Sequence, residues 1–247
     1  MVHLDRRDGV TVVRFDRPPA HALDIAFTET LCGILDETRA GDSALVLTGS
    51  GSFFSGGLDL QVLPAYTLDE QARLLRALNR LLLDLYGFPH PVVAAVNGHA
   101  VAGGMILALA CDYRVALDDP RARFGLAEGR VGVAFPVGAR EVVTAELAPH
   151  AARRMMLTAA NRGPEQALGE GALDELRPPD RVLERAVEVA GELAALPRGS
   201  YGKIKRQLRG DALARIERAV AGEEPLLRGW LDAEARVSAA GILKPPR

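Results

Sequence analysis

The sequence predicts an α/β protein in which parallel, doubly covered β-structure gives way to a mostly helical last third. Three observations carry this expectation. Between Gly9 and Gly132, short apolar runs alternate with stretches whose apolar residues fall at helical spacing. Glycine-rich turns close several of the apolar runs and open the helices that follow. Beyond Gly132 the strand-like runs stop and helical patterns take over.

The elements follow in order. "GVTVVRF" (Gly9 to Phe15) is a β-branched run that ends in the turn-rich "DRPPAHALD". Phe27 to Arg39 places Phe27, Leu31, Ile34 and Leu35 at helical spacing. "SALVLTG" (Ser43 to Gly49) is continuously apolar, as a strand buried on both faces must be. The loop "SFFSGGLDL" follows, and then an amphipathic helix over Leu68 to Tyr86 with Thr67 as N-cap. "PVVAAVNG" (Pro91 to Gly98) reads as a second buried strand and Gly103 to Ala110 as a short apolar helix, with "DYRVAL" and "ARFG" as further short strands. Helices are expected over Pro136 to Leu147, Ala151 to Leu157, Pro164 to Leu168, Arg181 to Leu196 and Tyr201 to Ala239, ahead of a "KPPR" tail. No internal repeat or low-complexity linker breaks the chain.

At 247 residues the chain can bury a substantial core. Its 48% hydrophobic and 25% charged residues suit a globular protein. A formal net charge of -2, with Lys and Arg spread throughout, argues against nucleic acid or an anionic membrane as partner. "MVHLDRRDGV" has no apolar segment of the signal-peptide kind, and Cys32 and Cys111 sit in apolar surroundings, so a cytoplasmic protein with two buried, reduced thiols is expected. The apolar stretch around "NGHAVAGG" is interrupted by Asn97, Gly98, His99, Gly103 and Gly104, and reads as strand, turn and helix rather than a membrane span.

Several site chemistries fail on the residues present. Gly49 and Gly51 follow a strand, but Phe54 occupies the position where a dinucleotide fingerprint needs a third small residue. Asp69, about 20 positions on, lies at a helix start rather than a strand end. No P-loop, GxSxG elbow or HExxH occurs, and the histidines lack metal-ligand spacing, so no metal is expected. His99 follows a strand, where it either lines a site or simply packs.

Two glycine-rich turns remain, "SGGLDL" and "NGHAVAGG". In a parallel sheet both fall at the carboxyl ends of strands, where ligands bind. Glycine lets backbone approach a ligand closely, and an apolar helix starting at Gly103 leaves its first N–H groups without side-chain competitors. Two such donors converging on one carbonyl oxygen make an oxyanion hole; tight turns chosen for packing would show the same glycines. Glu128, in "FGLAEGRVG", is either an exposed turn residue or a carboxylate in apolar surroundings, with a raised pKa suited to moving protons.

Taken together, these segments resemble the crotonase (enoyl-CoA hydratase/isomerase) family over nearly the whole chain. "LTGSGSFFSGGLDL" is similar to its "TGxGxxFxAGxDL" loop, and "PVVAAVNGHAVAGGMILALACDYRVA" to its "PxIAAVNGxAxGGGxxLALxCDxxxA" segment. "DRPPAHALD" resembles its first turn with His21 in place of the usual Asn, and "ARFGLAEGRVG" and "AARRMMLTAANRGPEQALGEGALDEL" follow its later pattern. The resemblance implies a crotonase-like spiral of β-β-α turns over residues 1–195 and a C-terminal α-helical trimerisation region over 196–247. It implies a homotrimer or dimer of trimers.

It also implies an acyl-CoA thioester as substrate, with no separate cofactor. Backbone N–H groups of Leu58 and Gly103 would form the oxyanion hole, and Gly56, Asp59, Leu60 and Gln61 would lie along the coenzyme A. Of the two hydratase glutamates, Glu128 matches one and Ile106 stands at the other. One acid opposite an oxyanion hole suits an isomerase that moves a 3,4 double bond to 2,3. Hydration, another thioester reaction, or acyl-CoA binding without turnover are the alternatives. Phe53, Phe54, Leu63 and Tyr66 are candidates for an acyl pocket, each equally explained by packing.

Overall fold

Apolar runs of five or six residues are too short for independent helices, and here they pair side by side. The computed structural model describes residues 1–7, 9–41, 44–231, 235 and 237–238; Ser43, part of the stretch up to Ala239 and the "KPPR" tail lie outside them. The element order contains a repeated β-β-α unit: β1 (Val2–Arg7), β2 (Val10–Phe15) and α1 (Ile25–Arg39), then β3 (Ala44–Thr48), β4 (Phe53–Ser55) and α2 (Leu68–Tyr86). The third unit is β5 (Val92–Val96), β6 (His99–Val101) and α3 (Gly103–Leu109). The fourth is β7 (Tyr113–Leu117), β8 (Phe124–Gly125) and α4 (Val137–Glu146). Helices α5 (Pro149–Thr158) and α6 (Pro164–Gly169), strand β9 (Glu175–Arg177), α7 (Val182–Ala194) and α8 (Arg198–Arg218) complete the order.

The first strand of each unit joins a six-stranded sheet in the order β1-β2-β3-β5-β7-β9, and β4, β6 and β8 form a separate three-stranded sheet. All pairings are parallel except β1 with β2. Strands β3 and β5 are buried at every residue, which explains their unbroken apolar sequence. Helix α7 packs across the β2, β3, β5, β7 and β9 strands. Val13, Phe15 and Leu47 meet Leu31 of α1, Leu81 and Leu85 of α2, and Leu107 of α3.

Helix α2 spans the expected residues, and Thr67 caps it reciprocally with Glu70. Four strands lie outside the runs identified from sequence. β1 is almost wholly exposed and so carries no apolar period, while β4, β6 and β9 have only three residues each. The expected helix from Tyr201 to Ala239 ends early. Helix α8 stops at Arg218, a wider turn covers Ala219–Glu223, and Gly222 (φ 115°) followed by Pro225 breaks the path.

Helix α8 is held to the core by buried charge. Asp112 accepts hydrogen bonds from the Val92 N–H, the Tyr201 hydroxyl, Lys205 Nζ and Arg209 Nη1, at 2.7–2.9 Å. Arg209 also reaches Glu146 at 3.1 Å and stacks on the Tyr86 ring at 4.0 Å. With both Asp112 oxygens saturated, the buried cations of α8 have partners close enough to offset their desolvation. Cys111 is buried and Cys32 half-buried; both are free thiols, and burial pushes each up to about 12.

The junction between β6 and α3 stores strain. Ala102 adopts φ 52° and ψ −127°, a region suited to glycine, and the family pattern carries glycine there. Substituting Ala102→Gly should raise stability by about 1 kcal/mol, because relief of strain worth about 1–3 kcal/mol exceeds the entropy that glycine adds to the unfolded chain. Urea denaturation measures this directly; a lowered midpoint would show that Ala102 is not strained.

Candidate active site

The two glycine turns meet. Gly57 has φ +83°, and a Cβ there would lie 2.7 Å from the Gly103 nitrogen and 2.9 Å from the Ala102 Cβ. At Gly104 a Cβ would lie 2.0 Å from the Ser55 carbonyl oxygen. No side chain fits at either crossing, so the glycines are required for the loop after β3 to touch the start of α3.

Neighbouring hydrogen bonds single out one amide in the first loop. The Gly56 N–H donates to the Ala20 carbonyl, Gly57 to the Ser55 hydroxyl, and Asp59 to the Leu23 carbonyl. Leu23 in turn donates to the Gly57 carbonyl, completing a parallel bridge beside Leu58. In such a bridge the opposed residue turns its own N–H away from its partner. The Leu58 N–H therefore has no acceptor among the described residues, and Leu58 lines a mostly apolar cavity. Gly103 lines the same cavity and opens α3, so its N–H has no intrahelical acceptor. Ala102, just before it, donates to the Gly125 carbonyl.

Glu128 lies in the same cavity, on a short 3₁₀ turn (Glu128–Arg130) that follows β8. It is only 4% exposed, and its Oε2 has no hydrogen-bond partner among the described residues. Burial in apolar surroundings raises its pKa to about 7, against a smaller lowering by its own backbone N–H. The exposed-turn alternative for Glu128 is thus excluded. Ile106, buried on α3, lines the cavity with it. The other walls are apolar, from Leu78, Leu81 and Leu82 of α2 to Ala139 of α4 and Trp230.

A second, open groove is lined by Gly56, Asp59, Leu60 and Gln61, together with Arg17 and Phe53. Leu58 lines both groove and cavity, so they adjoin there. Within the groove Asp59 is already engaged: its carboxylate accepts from Arg17 at 2.7 Å and from the Gln61 N–H at 3.0 Å. Arg17 also bonds Asp24, the N-cap of α1, which ties the first turn to the groove. His21 accepts from the Arg17 N–H through Nδ1, and its Nε2 lies 2.8 Å from the Ser50 carbonyl.

Other candidates fall elsewhere. His99 packs on Phe53, ring centroids 4.8 Å apart, and lines neither cavity nor groove. Phe54 and Leu63 are core residues, Tyr66 is partly buried against the core, and Phe53 faces the groove, so none of the four lines the Glu128 cavity. The apolar walls come instead from α2 and Trp230. The α2 leucines read from sequence as an ordinary core face, and nothing near Trp230 in sequence marks it as a wall. Among the described residues no helix is long and apolar enough to cross a membrane. Nor does any group of three or more His, Cys, Asp or Glu among them suit a metal ion.

Comparison with known proteins identifies the family. A family model described as enoyl-CoA hydratase/isomerase matches residues 5–239. Human mitochondrial enoyl-CoA delta isomerase 1 is 28% identical over 219 residues, covering 87% of this chain and 72% of that protein. A putative enoyl-CoA hydratase from Thermus thermophilus is 36% identical over 199 residues, 78% of each chain. The solved apo structure of a Mycobacterium tuberculosis enoyl-CoA isomerase matches with a TM-score of 0.83 at 33% identity, over 90% of this chain and 96% of that one. Fold, ordered motifs and relatives agree that the chain belongs to the enoyl-CoA hydratase/isomerase family, also called the crotonase family.

Proposed function

We propose that the chain is an enoyl-CoA isomerase that moves a 3,4 double bond of an acyl-CoA thioester to the 2,3 position. The observation that carries this reading is Glu128: among the described residues it is the one carboxylate lining the cavity, its Oε2 has no partner among them, and Ile106 takes the place of a second acid. The coenzyme A would lie along Gly56, Asp59, Leu60 and Gln61, with its thioester at Leu58, where groove and cavity adjoin. Asp59 would shape the groove rather than bond the ligand, since Arg17 and the Gln61 N–H occupy its carboxylate.

The chemistry follows from the groups present. Ionised Glu128 removes a proton from the α-carbon, and the electron pair moves into the thioester carbonyl as an enolate. The Leu58 and Gly103 N–H groups donate to that oxygen. Protonated Glu128 then returns the proton at the γ-carbon, the electrons close the 2,3 double bond, and the carbonyl re-forms. A positioned acid–base contributes about 10²–10⁴ in rate, and an oxyanion donor about 10²–10³. As written, the reaction needs no resident cofactor. Hydration would need a held water, and among the described lining residues one carboxylate amid apolar walls offers few partners for it. Exposed Leu196, Ile204 and Leu208, clustered on and beside α8, support the homotrimer or dimer of trimers implied by the family.

Purified protein given 3-enoyl-CoA should yield 2-enoyl-CoA, and 2-enoyl-CoA should stay unhydrated. Formation of 3-hydroxyacyl-CoA at a comparable rate would make the chain a hydratase, and binding without turnover would make it a non-catalytic binder.

The Glu128→Gln variant should lose about 10²–10⁴ in kcat/KM. In the wild type, kcat/KM should rise with pH and level off above about 7, as Glu128 ionises. Stability should run the other way. Because the folded pKa is raised from 4.5 to about 7, the contribution of Glu128 is fully present below pH 4.5 and is lost as pH rises through 7. Glu128→Gln should therefore be more stable than wild type by up to about 3 kcal/mol at pH 8, with the difference vanishing near pH 4. Denaturation midpoints at the two pH values measure it.

A further inference from the structure

The segment after α8 returns to the cavity and is fastened there at several points. Glu224 is buried, and its Oε2 accepts from Asn79 Nδ2 at 2.9 Å and from the Val137 N–H at 2.8 Å. Asn79 Oδ1 accepts from the Gly138 N–H at 2.7 Å, so one carboxylate and one amide join α2 to the start of α4. The Leu231 N–H donates to Gln71 of α2 at 3.1 Å. Ala235 lies against Gly132, where a Cβ would come within 3.1 Å of the Ala235 Cα. These anchors fall on α2, α4 and the loop that leads from Glu128 to α4.

Trp230 sits among them. It is 5% exposed, its indole N–H donates to the Ala134 carbonyl at 2.8 Å, and its ring lines the cavity with Glu128, Leu82, Pro136 and Ala139. The polar end of the indole is satisfied, and the rest presents apolar surface to the ligand. Trp230 is the largest side chain lining the cavity and comes from an irregular segment between Gly229 and the residues that follow, whereas most of the other walls come from packed helices.

We infer that Trp230 is the wall residue that limits acyl-chain length, and that the segment Glu224–Leu231 holds it in place. The inference rests on the acyl-CoA reading of the site, and it deepens that reading by naming the residue that sets the upper limit of acyl-chain length. Removing the indole would join its volume to the cavity. Each further methylene that finds apolar contact is worth about 10-fold or more in binding, so truncation should shift the chain-length preference toward longer chains.

The test uses Trp230 as its own reporter, since it is the only tryptophan in the chain. The full-length protein is titrated with free coenzyme A and with saturated acyl-CoAs of increasing length, following tryptophan emission and, separately, heat of binding. Acyl-CoA should shift the emission and free coenzyme A should not, with affinity ceasing to improve beyond a limiting chain length. In Trp230→Ala the limit should move to longer chains, raising the preference for dodecanoyl over hexanoyl about tenfold or more. Trp230→Phe, which keeps the ring bulk, should retain the wild-type limit.

Acyl-CoA that binds by calorimetry without moving the emission would overturn the inference, as would an unchanged chain-length profile in Trp230→Ala. Should that variant fail to fold, wild-type emission and Trp230→Phe decide the matter. Binding with the expected length dependence but no isomerisation would sink the proposed reaction and leave the wall standing. No binding of any acyl-CoA would sink both.

Discussion

The contact between two backbones, at Gly57 and Gly103, is the constraint from which the rest of the site follows. With no side chain at either residue, the loop after β3 lies against the first turn of α3, and a Cβ at Gly57 would fall 2.7 Å from the Gly103 nitrogen. Neighbouring N–H groups on the loop are consumed by Ala20, Ser55 and Leu23, leaving Leu58, beside Gly103, as a donor with no acceptor among the described residues. In the proposed reaction such a pair would cost little to reorganise as negative charge develops on an oxygen between them, because both donors are held by the fold.

Glu128 supplies the opposite requirement. The proposed reaction asks a carboxylate to take up and release a proton near neutral pH, which needs a raised pKa; burial raises that of Glu128 at the expense of stability above pH 7. The apolar walls that raise the pKa are also the walls that would receive an acyl chain. The C-terminal segment closes part of that enclosure, and α8 is joined to the core by the ion pairs of Asp112 with Lys205 and Arg209. Tertiary packing of the helical last third thus supports the electrostatics of a site built mainly by the first two thirds.

The buried strands, the long α2 helix and the two glycine turns were legible in the sequence because each has a strong local signature. β3 and β5 are unbroken apolar runs, and Thr67 and Glu70 form a capping box at the start of α2. Ile106 stood out only through the resemblance to a family, and Glu128, a candidate from its turn, needed that resemblance too, since local sequence could not separate an exposed turn glutamate from a buried one. β1 was illegible because exposed strand residues carry no apolar period; the break was signalled by Gly222 and Pro225, and the helical spacing before and after them outweighed that signal in the expected Tyr201–Ala239 helix. The acyl cavity walls were missed because Leu78, Leu81 and Leu82 look like any core stripe, and Trp230 reaches Ala134 across 96 positions. Long-range contacts of that kind leave no periodicity to read.

The central claim is that one enclosed carboxylate carries the proton between two carbons of the substrate. Turnover of 3-enoyl-CoA bearing deuterium on its α-carbon tests this most directly, with the product examined by mass spectrometry and NMR. Transfer by Glu128 within the water-poor cavity predicts 2-enoyl-CoA carrying a substantial share of the label at the γ-carbon. Product formed with its γ-carbon labelled only from solvent, or a 3-hydroxyacyl-CoA product, would contradict the account.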